Sequence, residues 1–178
     1  MALTDPKGRL ISVSGVSRVS VSTTVAVPAT TDYAAEDVLS DSASAGTSWT
    51  FSNVVAEEGG SGTIVNALCI CQTTQVTHRP TLYLYNVVPT SNLNDNAGNA
   101  APSWTDRAGY IGKITFPALS DKGGATETEV NPGSGGLPKP FVCGVTLRDI
   151  YGILITEDAI TAESAGHSYL INLLIDQN

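Results

Sequence analysis

The chain has 178 residues, 42% of them apolar and 15% charged, and a net charge of −8. This length suits one domain with its own core, and the apolar share excludes a disordered chain. Nine scattered Lys and Arg residues argue against a nucleic-acid surface, and no apolar stretch approaches a membrane-spanning length.

Low charge with frequent Val, Thr and Ser and 17 Gly is the composition of an all-β chain with tight turns. The opening MALTDPKGRL lacks the apolar run of a secretory signal. From Leu10 to Val27 the pattern is a strand or extended arm. Val19, Val21, Thr23, Val25 and Val27 recur at period two, and Ser20, Ser22 and Thr24 lie on the other face. Thr31–Leu39 reads as a turn feeding a short strand, and Thr47–Val55 as a strand with Trp49 and Phe51 inward. Thr63–Gln72 is apolar on both faces apart from Asn66, the mark of a core strand. His78–Val88 is a further strand, with Pro80 at its start.

The Asn-rich loop after Pro89 leads to Pro102–Gly109, which predicts one or two helical turns, with Ser103 as cap and Asp106 three residues on. Tyr110–Phe116 is a strand. Leu119–Pro140 is rich in Gly and Pro and reads as a long loop around at most a short strand at Glu127–Val130. Phe141–Leu147, Ile150–Glu157 and Ser168–Asp176 complete the set. Eight or nine short strands without βα alternation predict a single antiparallel β-sandwich, jelly-roll-like, with a barrel as alternative. The one boundary expected is between residues 1–23, an N-terminal arm or first strand, and the sandwich domain 24–178.

The residues offer little chemistry. His78 and His167 both read as exposed turn histidines, and no nucleophile motif accompanies either. Adjacent pairs such as Glu57-Glu58 and Glu157-Asp158 read as solubilising turn charges. Asn92, Asn94 and Asn96 invite calcium, but Ala97 and Ser103 stand where an EF-hand loop needs Gly and Glu. Turn stabilisation by their own side chains is the expected role. Cys69-x-Cys71 is closer than the usual zinc chelate, and Cys143 has no companion. The three cysteines read as buried free thiols of a chain made in a reducing cytoplasm. Gly59–Gly62 lacks the Lys of a phosphate loop. No cofactor, metal or catalytic residue is expected. Trp49 reads as core and Trp104, in a polar segment, as an exposed contact or a cap on the core edge.

The order of motifs resembles a family of small virion proteins of tailed bacteriophages, the head decoration or auxiliary capsid proteins. The likeness begins at Asp32–Leu39, where relatives tend to carry Gly at the position of Glu36. It continues through Gly59–Ile64 and is clearest between Thr81 and Phe116. There Pro89, Asp95-Asn96-Ala97, Ala101-Pro102 and Ile111-Gly112 follow the family's order, and Tyr169–Asp176 ends as relatives do. Residues 1–23 lie outside it. The resemblance implies a non-enzymatic protein, made in the host cytoplasm, that binds the outer surface of the major capsid protein lattice, as a homo-oligomer with three copies favoured. Ile11, Val13, Val16, Val19 and Val21 of the arm, with Trp104, are the expected partner contacts; an ordinary first strand is the alternative for the arm. The competing reading is a carbohydrate-binding module that uses Trp104 and the tyrosines.

Overall fold

The computed structural model describes residues 17–28, 32–161 and 166–178. Among these, eleven strands form: β1 Ser17–Ala26, β2 Val38–Leu39, β3 Trp49–Phe51, β4 Ser61–Cys71, β5 Pro80–Tyr85, β6 Tyr110–Thr115, β7 Ser120–Asp121, β8 Thr126–Val130, β9 Lys139–Val142, β10 Ile150–Thr156 and β11 Ser168–Gln177. They make two antiparallel sheets. The larger runs β1-β11-β4-β8-β7, and β9 pairs with β4 beyond the end of β8. The smaller runs β2-β10-β5-β6, with β3 also on β10.

The consecutive strands β4 and β5 lie in opposite sheets, as do β10 and β11. Yet β4 pairs with β11 in one sheet and β5 with β10 in the other. A long antiparallel ribbon folded over itself in this way is a jelly roll. The all-β sandwich expected from the sequence is the architecture found.

Alternation builds the core. Tyr169, Ile171, Leu173 and Ile175 of β11 point inward with Ile64, Ala67, Cys69 and Cys71 of β4. They meet Trp49, Phe51, Leu82, Leu84 and Leu154 of the facing sheet. Between Ile64 and Asn66 the register shifts, leaving Val65 as the extra residue of a bulge. All three cysteines are buried free thiols. Burial in apolar surroundings pushes the Cys143 thiol up to about 11, so it resists ionisation.

The described part of the first predicted strand is β1, which runs unbroken through residues 23 and 24 along β11. Its Val19, Val21 and Val25 pack half-buried against the core. Ile11, Val13 and Val16 lie outside the described residues.

The region read as a loop, Leu119–Pro140, is more ordered than its Gly and Pro content suggested. It holds β7, β8 and the first half of β9. Pro140 sits in the short β9 opposite Thr63, a lateral position where a missing N–H is tolerated.

β5 and β10 are buried on both faces. Their outer face carries Tyr83, Tyr85, Tyr151, Ile153 and Ile155. Together with Val38 and Ala101 these form a second apolar cluster, against which Leu93 and Tyr110 pack. The long connection from β5 to β6 supplies Leu93 and Ala101, so it lies over the smaller sheet as an outer layer.

Candidate interaction surface

Two buried carboxylates fasten that connection. Asp95 accepts hydrogen bonds from the Tyr33 hydroxyl at 2.9 Å and the Ser40 N–H at 3.0 Å. Burial raises its carboxyl above the ordinary range, and those two donors offset only part of the rise. Ser40 Oγ donates to the Leu93 carbonyl at 2.6 Å, and the Asn94 carboxamide accepts from the Gly46 N–H at 3.1 Å. A Cβ at Gly46 would lie 1.9 Å from the Leu93 oxygen, so only glycine lets the two segments approach this closely. The Asn side chains thus serve the turn: Asn99 Oδ1 likewise accepts from the Ala101 N–H at 2.7 Å. Among the described residues no group of three or more His, Cys, Asp or Glu could hold a metal ion.

Asp106 is the second clamp. It takes both the N–H and the hydroxyl of Thr90, at 2.9 and 2.6 Å, and both those of Ser91. Burial alone would raise its carboxyl, but these four donors outweigh it and hold the group below the usual range. The sequence placed Asp106 at the third position of a capped helical turn. Residues 104–109 instead form successive turns, with the Asp106 N–H on the Ser103 carbonyl at 3.1 Å and the Gly109 N–H on the Asp106 carbonyl at 3.0 Å. The expected cap is present, Ser103 Oγ accepting the Thr105 N–H at 3.2 Å, while the Asp106 side chain leaves the turn to bind Thr90 and Ser91.

These turns hold Trp104 out. Its side chain is 79% exposed, with the Arg107 guanidinium 4.3 Å from the ring centroid. Arg107 Nη1 also donates to the Trp104 carbonyl at 2.5 Å. A cation over one face of the indole leaves the other for a partner.

Four valines are exposed near the chain segments that flank this layer. Val87 and Val88 follow β5, and Val142 and Val145 lie at and just beyond the end of β9, Val145 being 88% exposed. Asn86 joins the two segments through its Nδ2, which donates to the Val142 carbonyl at 3.2 Å. Beside them an open groove of about 440 Å³ runs between β6 and β9, lined by Tyr110, Ile111, Phe141 and Val142 with Asn86 and Asn178. Of the four valines, Val142 lines the groove itself. Sequence reading missed these valines. Val142 was legible as the outward residue between Phe141 and Cys143, but nothing local brings it beside Asn86.

His78 corrects an expectation. The sequence makes it an exposed turn residue, yet it is only 5% exposed, its ring 5.8 Å from that of Tyr169. Among the described residues neither ring nitrogen has a hydrogen-bond partner. Burial lowers its pKa to about 4, against a small opposing pull from Asp158. Asp158 itself is committed to Arg79, at 2.6 Å between Oδ1 and Nη2, and lies at about 2 for that reason. His167 is half-buried before β11, where its carbonyl accepts the Val27 N–H at 2.9 Å.

Of the residues expected to meet a partner, the structure presents Trp104 to solvent and places Val19 and Val21 in the inner row of β1. No protein family and no curated protein matches the chain. Solved structures similar to it include a chain from a marine algae virus of the order Picornavirales, 11% identical, covering 88% of this chain and 67% of that one with a TM-score of 0.29. A chain from desmodium yellow mottle tymovirus is also 11% identical, covering 100% of this chain and 95% of that one with a TM-score of 0.27. Scores of this size fall short of a shared topology, and the jelly roll is assigned from the strand pairings alone.

Proposed function

We propose that the protein is a non-enzymatic structural component of a bacteriophage virion that binds the outside of the capsid lattice. The observation that carries this reading is the exposed apolar surface of Trp104, Val87, Val88, Val142 and Val145 on a rigid jelly roll. Jelly rolls serve both viral capsids and lectins, and a fold alone does not choose between them. The resemblance to decoration proteins favours the capsid, and it has physical support at one position. Where relatives carry Gly, this chain's Glu36 holds a backbone φ of 70°, the left-handed region that favours glycine.

A protein that binds only the assembled lattice stabilises it by mass action. Self-association multiplies weak contacts into avidity. Ile11, Val13 and Val16 are the further contacts proposed for the major capsid protein. Co-sedimentation with capsids that lack the protein tests the reading, followed by the melting temperature of the shells. The expected result is saturable binding and a hotter shell transition. Free protein left in the supernatant with every virion part would sink the proposal. Removal of residues 1–16 should weaken binding without unfolding the domain.

The exposed face of Trp104 also favours a second reading, a carbohydrate contact. Glycan-array signals abolished by Trp104→Ala, with capsid binding absent, would establish that reading in place of the first.

A further inference from the structure

Most edges of the two sheets are blunted against pairing with other chains. β7 has two residues, Ser120–Asp121, followed by Lys122, and β2 and β3 have two and three. β9 carries Pro140, and β6 carries Gly112 and Lys113 beside a bulge in its pairing with β5. Short strands, prolines, charges and bulges are the usual protection of an edge. β1 is neither short nor bulged and carries no proline. It is ten residues long, pairs with β11 in unbroken register, and holds a single charge. That charge, Arg18, is tied to Asp176 of β11 at 2.6 Å.

The direction of the main chain in β1 follows from one hydrogen bond. The Val27 N–H donates to the His167 carbonyl at 2.9 Å, continuing the register in which Val25 faces Tyr169. In an antiparallel ladder, bonded pairs alternate with non-bonded ones. The odd-numbered residues of β1 therefore bond to β11. The N–H and C=O groups of Arg18, Ser20, Ser22, Thr24 and Ala26 point to the free edge, where no described strand pairs.

We propose that this edge pairs, antiparallel, with β1 of a second copy across a twofold axis through Ser22. Ser22 then faces Ser22 of the second copy, Ser20 faces Thr24, and Arg18 faces Ala26. The facing pairs exchange about ten main-chain hydrogen bonds, two for each pair. On the outer face hydroxyls meet hydroxyls, a favourable cross-strand pairing. On the inner face Val19 meets Val25 and Val21 meets Thr23, so the half-buried rows of the two cores become continuous. The two guanidinium groups fall at opposite ends. A slip of one residue would turn the bonding groups away from each other and invert the faces. This self-complementarity selects a second copy as the occupant. The inference goes beyond the virion reading and does not rest on it, and it yields pairs where the resemblance implies three copies.

The test is sedimentation velocity of the full chain at increasing concentration. Ser22→Pro removes an N–H that the β1–β11 ladder does not use, a change an edge strand tolerates. The native chain should sediment as a dimer, and Ser22→Pro should halve the sedimenting mass while the chain still melts cooperatively, with a midpoint that no longer rises with concentration. Ser22→Cys should form a disulfide-linked dimer on mild oxidation, because facing bonded residues lie about 5.5 Å apart at Cα. Thr24→Cys should not, since its two copies would sit roughly 13 Å apart along the strands. The native cysteines are buried and do not compete. If Ser22→Pro fails to fold, the two cysteine variants decide. A monomeric or trimeric native chain overturns the proposal, whether or not β1 takes up a capsid strand. So does a dimer that survives Ser22→Pro, or one cross-linked equally well at Thr24→Cys. Capsid co-sedimentation is a separate readout and can fail while the dimer stands.

Discussion

Glu36 and His78 each hold a residue type against its preference. Glu36 sits at φ 70° with its N–H on the Thr156 carbonyl at 2.6 Å and its own carbonyl accepting the Asn99 N–H at 2.9 Å. The geometry is fixed by neighbours on both sides, and a side chain there costs roughly 1–2 kcal/mol. Glu36→Gly removes that cost but adds freedom to the unfolded chain, so the net gain should be about 0.5–1 kcal/mol, a rise of about 3 °C in a melting curve. An unchanged or lower midpoint would contradict it. His78 has a folded pKa near 4 against 6.5 in the free side chain. Above pH 6.5 both states hold it neutral and stability is full. As pH falls from 6.5 towards 4 the unfolded chain takes up a proton that the buried ring refuses. Stability should drop by about 3 kcal/mol across that window and then level. Denaturant titrations from pH 7 to 4 measure the slope, and His78→Phe should flatten it. The loss tied to Asp158 belongs to a lower window, from 3.8 to about 2.

At the scale of the element, the β5–β6 connection depends on Asp106. Replacing it with Ala leaves the N–H groups of Thr90 and Ser91 without their acceptor and should cost about 3 kcal/mol. Hydrogen exchange should quicken through residues 89–109 before it changes in β4 or β11. Equal quickening everywhere would show that the layer and the sandwich unfold together. This element also marks the limit of what the sequence tells. The inward row of β11 was legible because alternation alone orients it, whereas β4, read as apolar on both faces, buries only the row of Ile64, Ala67, Cys69 and Cys71 and leaves the other half-buried. β5 and β10, read from the sequence simply as strands, are the ones buried on both faces, because the β5–β6 connection covers the second face. The cover comes from Leu93 and Ala101, residues scattered through a polar loop. His78, beside Arg79 and Pro80, has the local look of a turn, and its burial against Tyr169 is set by a strand ninety residues away. Lys139-Pro140 hid the start of β9 for the same reason, since pairing with Thr63 is invisible locally.

Over the whole molecule, the larger sheet and the smaller one differ in what they present. The smaller is overlaid by the connection, while the apolar surface collects at Trp104 and around the segments after β5 and β9. The side chains Val87, Val88, Trp104, Val142 and Val145 add no charge of their own to this surface, although the chain as a whole carries −8. Val142→Lys with Val145→Lys should abolish capsid co-sedimentation and leave the melting curve within a degree or two, because both side chains are exposed. Undiminished binding by that variant would move the contact elsewhere on the molecule. The sandwich frame was read from the sequence because periodicity is a property of each strand. The valine surface was not, because it exists only where Asn86 joins two distant segments.

Ser17 faces Gln177, so β1 and β11 lie side by side with those ends together. A pull that separates the two ends loads their ladder in peeling geometry, one rung at a time from Ser17–Gln177, not in shear across all ten. The molecule is therefore mechanically soft along this one direction, and a tether at either end would strip β1 from the sandwich before disturbing the β4–β11 pairing beneath it.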